Sequence, residues 1–148
     1  MERLLERHGV NGFRQSVKAR LACCSVRKVA PLGRALADAS AWITGLRATQ
    51  SAERAMTGCA SVDPQHRVVK INPLFDWTRD RVVAFVRECG VPYNRLHDRG
   101  FLSIGCAPCT RAVEADEPER AGRWWWEQQE KTECGLHAGH PAWRPEPQ

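Results

Sequence analysis

Four of the seven cysteines in this 148-residue chain form two pairs, and this grouping restricts the fold more than any other feature. Cys23 and Cys24 are adjacent, Cys106 and Cys109 form a Cys-x-x-Cys motif, and 81 residues (25–105) lie between the pairs. Four thiolates suit a tetrahedral zinc or an iron–sulfur cluster, and such a soft ligand set excludes magnesium and calcium. A single metal centre therefore requires a fold that brings the two distant pairs together.

The adjacency of Cys23 and Cys24 favours a [4Fe-4S] cluster over zinc. Around one zinc the four sulfurs must crowd at about 2.3 Å from the same ion. A cubane cluster offers each thiolate its own iron, which tolerates neighbouring side chains that diverge. Two alternatives stay open besides zinc. Cys106 and Cys109 could form a thioredoxin-like redox pair, which leaves the adjacent pair without a role, or all four cysteines could be ordinary buried residues.

The chain is basic, and its cations are concentrated near the cysteine motifs. Lys and Arg number 22 against 17 Asp and Glu, which favours phosphate- or sulfate-bearing partners. A cluster held by four thiolates is negative, so an anionic substrate beside it needs interposed cations. Lys28, one helical turn after Cys24, is a strong candidate, although some of the cations are expected to be solvated surface charges. The others are Arg27, Arg47, Arg111, Arg120 and Arg123.

The apolar patterning predicts a mixed α/β chain. Helices are predicted over 2–8, over 13–21, from Pro31 onward, and after Thr78, which is placed to cap a helix whose apolar face includes Cys89. Cys89 is therefore expected in the core. The segments "AWITGL" and "RVVKINPL" are typical of strands. Cys59 lies in "GCASVD", which is typical of a turn, and is expected to have a structural role alone.

The three consecutive tryptophans, Trp124 to Trp126, cannot all point in one direction. In either a helix or a strand, adjacent side chains diverge, so at least one indole should be exposed or lie at an interface.

The segment "KTECGLH" near the end of the chain places Cys134 in polar surroundings that give no packing reason for a cysteine. Cys134 is either incidental or a nucleophile carried on a mobile segment. His137 could support a thiolate or contact an anion; a solvent-exposed histidine is the alternative.

No run of about 18 apolar residues occurs, and the first residues, "MERLLERHG", are charged. We therefore expect a cytoplasmic protein with neither a membrane nor a nucleic acid among its partners.

Taken together, "CCSVRKVAPL", "AWITGLRATQS", "KINPLFDWT", "SIGCAPCTR", "GRWWWE" and "ECGLH" resemble the assimilatory adenylylsulfate (APS) reductases that use thioredoxin. The similarity runs from about residue 9 to residue 137. In that family the paired cysteines hold a [4Fe-4S] cluster and the cysteine of ECGLH is the nucleophile, whereas relatives that reduce the 3'-phosphorylated substrate keep ECGLH but lack the cluster cysteines. The resemblance implies that Cys23, Cys24, Cys106 and Cys109 are ligands and Cys134 the nucleophile. It implies substrate contacts from Lys28, Arg47, Arg120, Arg123 and His137.

The chain departs from the family in one respect. Family members begin with a nucleotide-binding region that carries a Ser-Gly-Gly type phosphate loop, and no such motif occurs here. The resemblance thus implies the C-terminal portion of an adenine-nucleotide α-hydrolase-like fold, over residues 1–137, with a helical iron–sulfur-binding region and a disordered tail over 138–148. APS and thioredoxin are the expected partners, and a homo-oligomer is compatible with the sequence. The alternative is a noncatalytic [4Fe-4S] or zinc module derived from such an enzyme.

Overall fold

The computed structural model describes residues 9–127, a mixed α/β arrangement with a small sheet, as predicted. The helix predicted over 2–8, and Cys134 and His137, lie outside the described residues. The helices within them are α1 (Val17–Cys24), α2 (Ala30–Ala35), α3 (Ala52–Ala55) and α4 (Arg79–Glu88). The strands are β1 (Ala41–Ile43), β2 (Ala60–Asp63) and β3 (Val68–Ile71).

Helix α1 begins later and ends later than predicted. The Ser16 hydroxyl accepts a hydrogen bond from the Ala19 N–H (3.1 Å), so Ser16 caps the helix, and the residues just before it form a 3₁₀ turn over Gly12–Arg14. The prediction ended this helix at Leu21. Its extension to Cys24 places both adjacent cysteines in the last turn of a regular helix, where the backbone holds them firmly.

Helices α1 and α2 are joined by a π-helical turn over Ser25–Val29, so one helical segment runs from residue 17 to residue 35. The helix start predicted at Pro31 agrees within one residue with the start of α2, which has Pro31 in its first turn, but α2 is not separated from α1. Proline has no N–H for the carbonyl four residues earlier, Arg27, and its ring crowds that carbonyl. The backbone responds by widening: the Ala30 N–H donates to the Ser25 carbonyl, five residues back.

The sheet has the strand order β1–β3–β2, with β1 parallel and β2 antiparallel to β3. Strands β1 and β3 confirm the two predicted strands. The turn predicted around Cys59 is wrong, because residues 60–63 pair with β3 and pairing overrides the weak local preference. The Asp63 carboxylate closes the β2–β3 hairpin by accepting from the backbone N–H groups of Gln65 and His66 (2.9 and 3.1 Å).

Helix α4 confirms the prediction at its start and corrects it at its end. The Thr78 hydroxyl accepts from the Arg81 N–H (3.2 Å), as expected of an N-cap. Cys89, expected in the core, is exposed. It is the C-cap residue, followed by the left-handed Gly90 (φ +61°). No residue of α4 is buried in the described structure, so the apolar face that Cys89 extends is not packed into a core.

Among residues 9–127, no helix combines the length and the apolar character needed to cross a bilayer.

Candidate metal centre and anion site

The four paired cysteines line one cavity of about 240 Å³. Cys23 and Cys24 come from the end of α1, and Cys106 and Cys109 flank a 3₁₀ turn over Ala107–Cys109. None of the four forms a disulfide; Cys24 and Cys109 are buried and the other two are half-buried. The fold thus brings the two distant pairs together. We call this space the cysteine cavity; Arg20, Arg27 and Phe13 also line it.

The conformation of the Cys-x-x-Cys turn is fixed by local hydrogen bonds. The Cys109 N–H donates to the Cys106 carbonyl (2.8 Å), and Pro108 sits where no N–H is needed. The Thr110 hydroxyl donates to the Cys106 carbonyl (2.9 Å) and accepts from the Gly105 N–H (3.1 Å). The turn is therefore closed by hydrogen bonds on both sides, which fixes the backbone that carries its two cysteines.

The segment that follows the turn is tied to the segment that carries the tryptophans. The Arg111 N–H donates to the Gly122 carbonyl (2.9 Å), and the Trp124 N–H donates to the Cys109 carbonyl (3.2 Å). At Gly122 the two backbones approach so closely that a Cβ would overlap the Arg111 carbonyl. Glycine is required there by space, not by dihedral angle.

Trp124 connects the cysteine cavity to the next site. Its side chain is 2% exposed and packs with Cys24 and Cys109 in one buried cluster. Its φ of +49° is unusual for a bulky residue, so the surrounding contacts hold a conformation that costs roughly 1–3 kcal/mol. Trp125 is 40% exposed and Trp126 is half-buried against Phe13. This confirms the prediction that the three indoles diverge.

Burial raises the pKa of the Cys109 thiol, and the neighbouring Cys106 and Cys23 sulfurs raise it further. The charges of Arg123 and Lys28 oppose this shift. Arg123 and Lys28 therefore lie close enough to the sulfurs to affect the Cys109 pKa. For Lys28, this agrees with the predicted position of a cation between an anionic cluster and an anionic ligand.

The thiolates around the cysteine cavity are a ligand type that zinc and iron–sulfur clusters share, so the donor set fits either centre. Within residues 9–127, no three His, Cys, Asp or Glu side chains converge closely enough to hold one metal ion. The adjacency of Cys23 and Cys24 remains the feature that favours a cluster, because a cubane offers each thiolate its own iron.

Trp124 also lines a second cavity, of about 420 Å³, together with the arginines Arg111, Arg120 and Arg123. Glu117 and Glu127 line it as well, each paired with an arginine. We call it the arginine cavity. Arg120 and Arg123 are nearly fully buried. The Arg123 guanidinium packs directly on Gly105, where a Cβ would overlap it, and lies over the Trp124 ring (4.5 Å). Buried guanidinium groups beside an open space are a suitable site for a sulfate- or phosphate-bearing ligand.

Three ion pairs fasten the loop that carries these arginines. Glu117 pairs with Arg111 (2.6 Å), Glu119 with Arg47 (2.7 Å) and Glu127 with Arg20 (2.6 Å). The partners belong to the segment after the Cys-x-x-Cys turn, to the segment after β1 and to α1, respectively. The acidic stretch before the tryptophans, which gave no functional signal in the sequence, thus fixes the loop through Glu117 and Glu119, and Glu127, just after the tryptophans, fixes it to α1.

Arg20 is the residue of this site that the sequence prediction missed. Its guanidinium is 1% exposed, donates to the Glu127 carboxylate and lies 4.3 Å from the Trp124 ring centroid. The signal that could have found it is spacing: Arg20 precedes Cys23 by three residues and Cys24 by four, which puts all three on one helix face.

The predicted substrate contacts separate into three groups. Arg120 and Arg123 share the arginine cavity. Lys28 lies near the cysteines. Arg47 does not line the arginine cavity; its guanidinium donates to both Glu119 carboxylate oxygens (2.7 and 2.8 Å) and to the Thr49 hydroxyl (2.8 Å). In the described structure Arg47 therefore holds the loop that carries Arg120. A ligand in the arginine cavity would be affected by Arg47 through this loop and not by direct contact.

Fold and site together define a small α/β unit in which a cavity lined by four cysteines lies close to a cavity lined by buried arginines. Residues 2–112 match the model of the phosphoadenosine phosphosulfate reductase domain, and the chain belongs to this family.

Three similar proteins from other organisms are all named adenosine 5'-phosphosulfate reductase. The chain is 58% identical over 137 residues to an adenosine 5'-phosphosulfate reductase of Rhizobium tropici, covering 93% of this chain and 76% of the relative. It is 57% identical over 131 residues to that of Agrobacterium fabrum, covering 88% and 50%. For Allochromatium vinosum the identity is 57% over 133 residues, covering 90% and 52%. Apart from the first, the chain spans about half the length of these relatives.

A solved structure shares the fold. The crystal structure of a phosphoadenylyl-sulfate reductase from Candida auris, in a phosphate complex, aligns with a TM-score of 0.56 at 31% identity. The alignment covers 70% of this chain and 48% of the other.

Proposed function

We propose that this chain forms the cluster-bearing, C-terminal portion of an assimilatory adenylylsulfate reductase with an adenine-nucleotide α-hydrolase-like fold. The reaction is the reduction of APS to sulfite and AMP, with Cys134 as the nucleophile and thioredoxin as the reductant. One observation carries the proposal: the four paired cysteines line a single cavity, and Trp124 joins that cavity to the buried Arg120 and Arg123.

Cys23, Cys24, Cys106 and Cys109 would hold a [4Fe-4S] cluster. When bound, the cluster supplies structural cross-linking and negative charge beside the anion site. Lys28 then stands between that charge and a negatively charged substrate, and Arg120 and Arg123 bind the sulfate and phosphate oxygens. Arg20 and the loop glutamates hold these arginines in position. The shared use of the cavity by both pairs weighs against a thioredoxin-like role for Cys106 and Cys109, since it leaves neither pair without a function.

The chemistry is assigned to Cys134, which lies outside the described residues. Its thiolate attacks the sulfuryl sulfur of APS, an S–S bond forms, and the S–O bond to AMP breaks with its electron pair leaving on the phosphate. The product is a Cys134 S-sulfonate. His137 is placed in the sequence to assist the thiolate or the anion.

Thioredoxin completes the reaction by thiol exchange. One of its thiolates attacks the Cys134 sulfur, and sulfite leaves with the electron pair of the cleaved S–S bond. The second thioredoxin thiol resolves the mixed disulfide, which returns Cys134 as a thiol and leaves thioredoxin oxidised. Both electrons come from thioredoxin, so the cluster need not change oxidation state.

Intact-mass spectrometry tests the assignment. The chain, complemented with the N-terminal region of a relative, is incubated with APS and no thioredoxin. We expect one SO₃ adduct on the peptide that contains Cys134, removed as sulfite when thioredoxin is added. Cys134→Ser should retain the cluster absorbance and form no adduct. An adduct that persists in this variant, or that maps to Cys59 or Cys106, would refute the assignment.

A second candidate is a noncatalytic [4Fe-4S] or zinc module derived from such an enzyme, since the four paired cysteines line a cavity within the described residues whereas Cys134 lies outside them. AMP release distinguishes the two. If the complemented chain releases AMP from APS, it is catalytic; metal binding without AMP release would favour the module.

A further inference from the structure

The indole N–H of Trp124 is a buried donor whose acceptor is not among the described residues. The side chain is 2% exposed, and its Nε1 atom has no hydrogen-bond partner within residues 9–127. An indole N–H can only donate, and a buried donor without an acceptor loses the hydrogen bond that water would otherwise supply. Because buried polar groups in native proteins nearly always have a partner, this N–H indicates a group that binds beside Trp124.

The neighbours of the indole ring restrict the chemistry of that group. The Cζ atoms of Arg20 and Arg123 lie over the ring, 4.3 and 4.5 Å from its centroid, and guanidinium nitrogens cannot accept a hydrogen bond. The Glu127 carboxylate accepts from Arg20 (2.6 Å). The ring also packs with Cys24 and Cys109 in one buried cluster. Sulfur is therefore the acceptor type that the buried surroundings of the ring offer.

A [4Fe-4S] cluster would supply such sulfur. In the described structure the indole N–H donates to neither Cys24 nor Cys109. A cluster in the cysteine cavity would add inorganic sulfide and would convert both thiols to thiolates. Anionic sulfur is a stronger acceptor than a thiol, so the cluster changes the surroundings of the indole in the direction that its unpaired donor requires.

The backbone holds the indole in place before any cluster binds. The Trp124 N–H donates to the Cys109 carbonyl (3.2 Å), which ties the residue to the Cys-x-x-Cys turn. Its φ of +49° is a conformation that a bulky residue rarely adopts and that the surrounding contacts must maintain. Such constraints are typical of residues that support a metal centre from outside its ligand set.

We infer that Trp124 donates a hydrogen bond from Nε1 to a sulfur of the cluster, either a sulfide or a ligand thiolate. The inference rests on the proposed function in one respect, that an iron–sulfur cluster occupies the cysteine cavity. A hydrogen bond to sulfur withdraws negative charge and stabilises the reduced cluster, so Trp124 raises the reduction potential. Because Trp124 also lines the arginine cavity, one side chain contacts both the cluster and the anion site.

Resonance Raman spectroscopy tests the inference on the 148-residue chain, reconstituted with iron and sulfide in H₂O or in D₂O. Benzothienylalanine in place of Trp124 keeps the size and shape of the ring and replaces the N–H by sulfur, so the fold and the iron content should be kept. The Fe–S stretching bands of the wild type should shift in D₂O, and this shift should be smaller in the substituted chain. Trp124→Phe also lacks the N–H and should show the same loss.

Two matched controls carry the same substitution at the neighbouring tryptophans. Trp125 is 40% exposed, so benzothienylalanine there should leave the D₂O shift unchanged. The Nε1 atom of Trp126 likewise has no partner within residues 9–127, but its ring packs against Phe13 and Trp125, so the same result is expected. A D₂O shift that is lost on substitution at Trp126 and kept on substitution at Trp124 would overturn the inference.

A redox titration gives a second readout. At a fixed potential, removal of the Trp124 N–H should lower the ratio of reduced to oxidised cluster at least about threefold, because reduction adds charge that the hydrogen bond stabilises. An intact cluster whose D₂O shift and potential do not change on this substitution would overturn the inference alone. Zinc in place of iron would overturn it together with the cluster assignment. Neither readout depends on Cys134 or on turnover.

Discussion

At the scale of single residues, the cysteines of the chain differ in burial, and this difference separates the candidate ligands from the other cysteines. Cys24 and Cys109 are buried beside Trp124, whereas Cys59 and Cys89 are exposed. Spacing in the sequence separated the four paired cysteines from Cys59. It did not separate Cys89, because an apolar helix face predicts burial, whereas no residue of α4 is buried in the described structure.

Cys24→Ser should lose metal and stability together. A metal site assembled by folding contributes its binding free energy to the folded state, so removing one ligand should cost several kcal/mol and lower the melting temperature by about 10 °C or more. Iron content and a thermal melt on the same anaerobic sample check this. Cys59→Ser is the matched control and should change neither. Full iron content in Cys24→Ser would remove Cys24 from the ligand set.

Glu117 should stay ionised in acid. Its hydrogen bonds with the Arg111 guanidinium and the Glu114 N–H lower its pKa from 4.5 to about 2. The pair's contribution to stability is therefore fully present above pH 4.5 and is lost as the pH falls toward about 2. Carboxyl NMR should show a flat Glu117 shift from about pH 6 to about pH 3.5, and titration near 4.5 in Arg111→Gln. A wild-type midpoint near 4.5 would mean that the ion pair does not form in solution.

At the scale of elements, the site is made by two short segments that run side by side, 109–111 and 122–124, and by the end of α1. Backbone hydrogen bonds join the two segments, and Arg20 with Glu127 joins them to the helix. The cysteine pairs therefore meet because the polypeptide is tied around them, not because of a large apolar core.

Gly122→Ala should disrupt this pairing. The added methyl would overlap the Arg111 carbonyl and press on Val113, so the two segments must move apart at a cost of about 1–3 kcal/mol. Urea unfolding measures the loss. Gly45→Ala is the matched control, because its Cβ would meet nothing within 4 Å, and it should be neutral or slightly stabilising. Equal effects of the two substitutions would contradict the close approach.

The sequence predicted elements well where one local signal decides them. Thr78 as an N-cap and the β-branched run of β3 are such cases. It failed where a distant or covalent constraint decides: β2 forms because β3 pairs with it, and the α1–α2 boundary is a π turn imposed by Pro31. For the site, the motif spacing identified the four cysteines, Arg120 and Arg123. It could not show that Arg47 is held by Glu119, because that contact joins positions 72 residues apart.

At the scale of the whole molecule, the described residues place a cavity lined by four cysteines close to a cavity lined by buried arginines, with Trp124 in contact with both. The proposed function needs a nucleotide site, and the contribution of the described residues to that site is the arginine cavity. The chain spans about half the length of most of the relatives that it matches.

The 148-residue chain alone should therefore bind APS at least about tenfold more weakly than the complemented form, a difference of about 1.4 kcal/mol or more. The reason is that the arginine cavity supplies contacts for the sulfate and phosphate oxygens, whereas no phosphate-loop motif occurs in the chain. Isothermal titration of both samples with APS measures the difference. Equal affinities would show that the chain contains a whole substrate site.

The most direct test of the central claim, that the four paired cysteines hold one iron–sulfur cluster, is the iron, acid-labile sulfide and zinc content of anaerobically purified chain. We predict about four irons and four sulfides per chain, with a broad brown absorbance and no zinc. One zinc per chain without sulfide would contradict the claim.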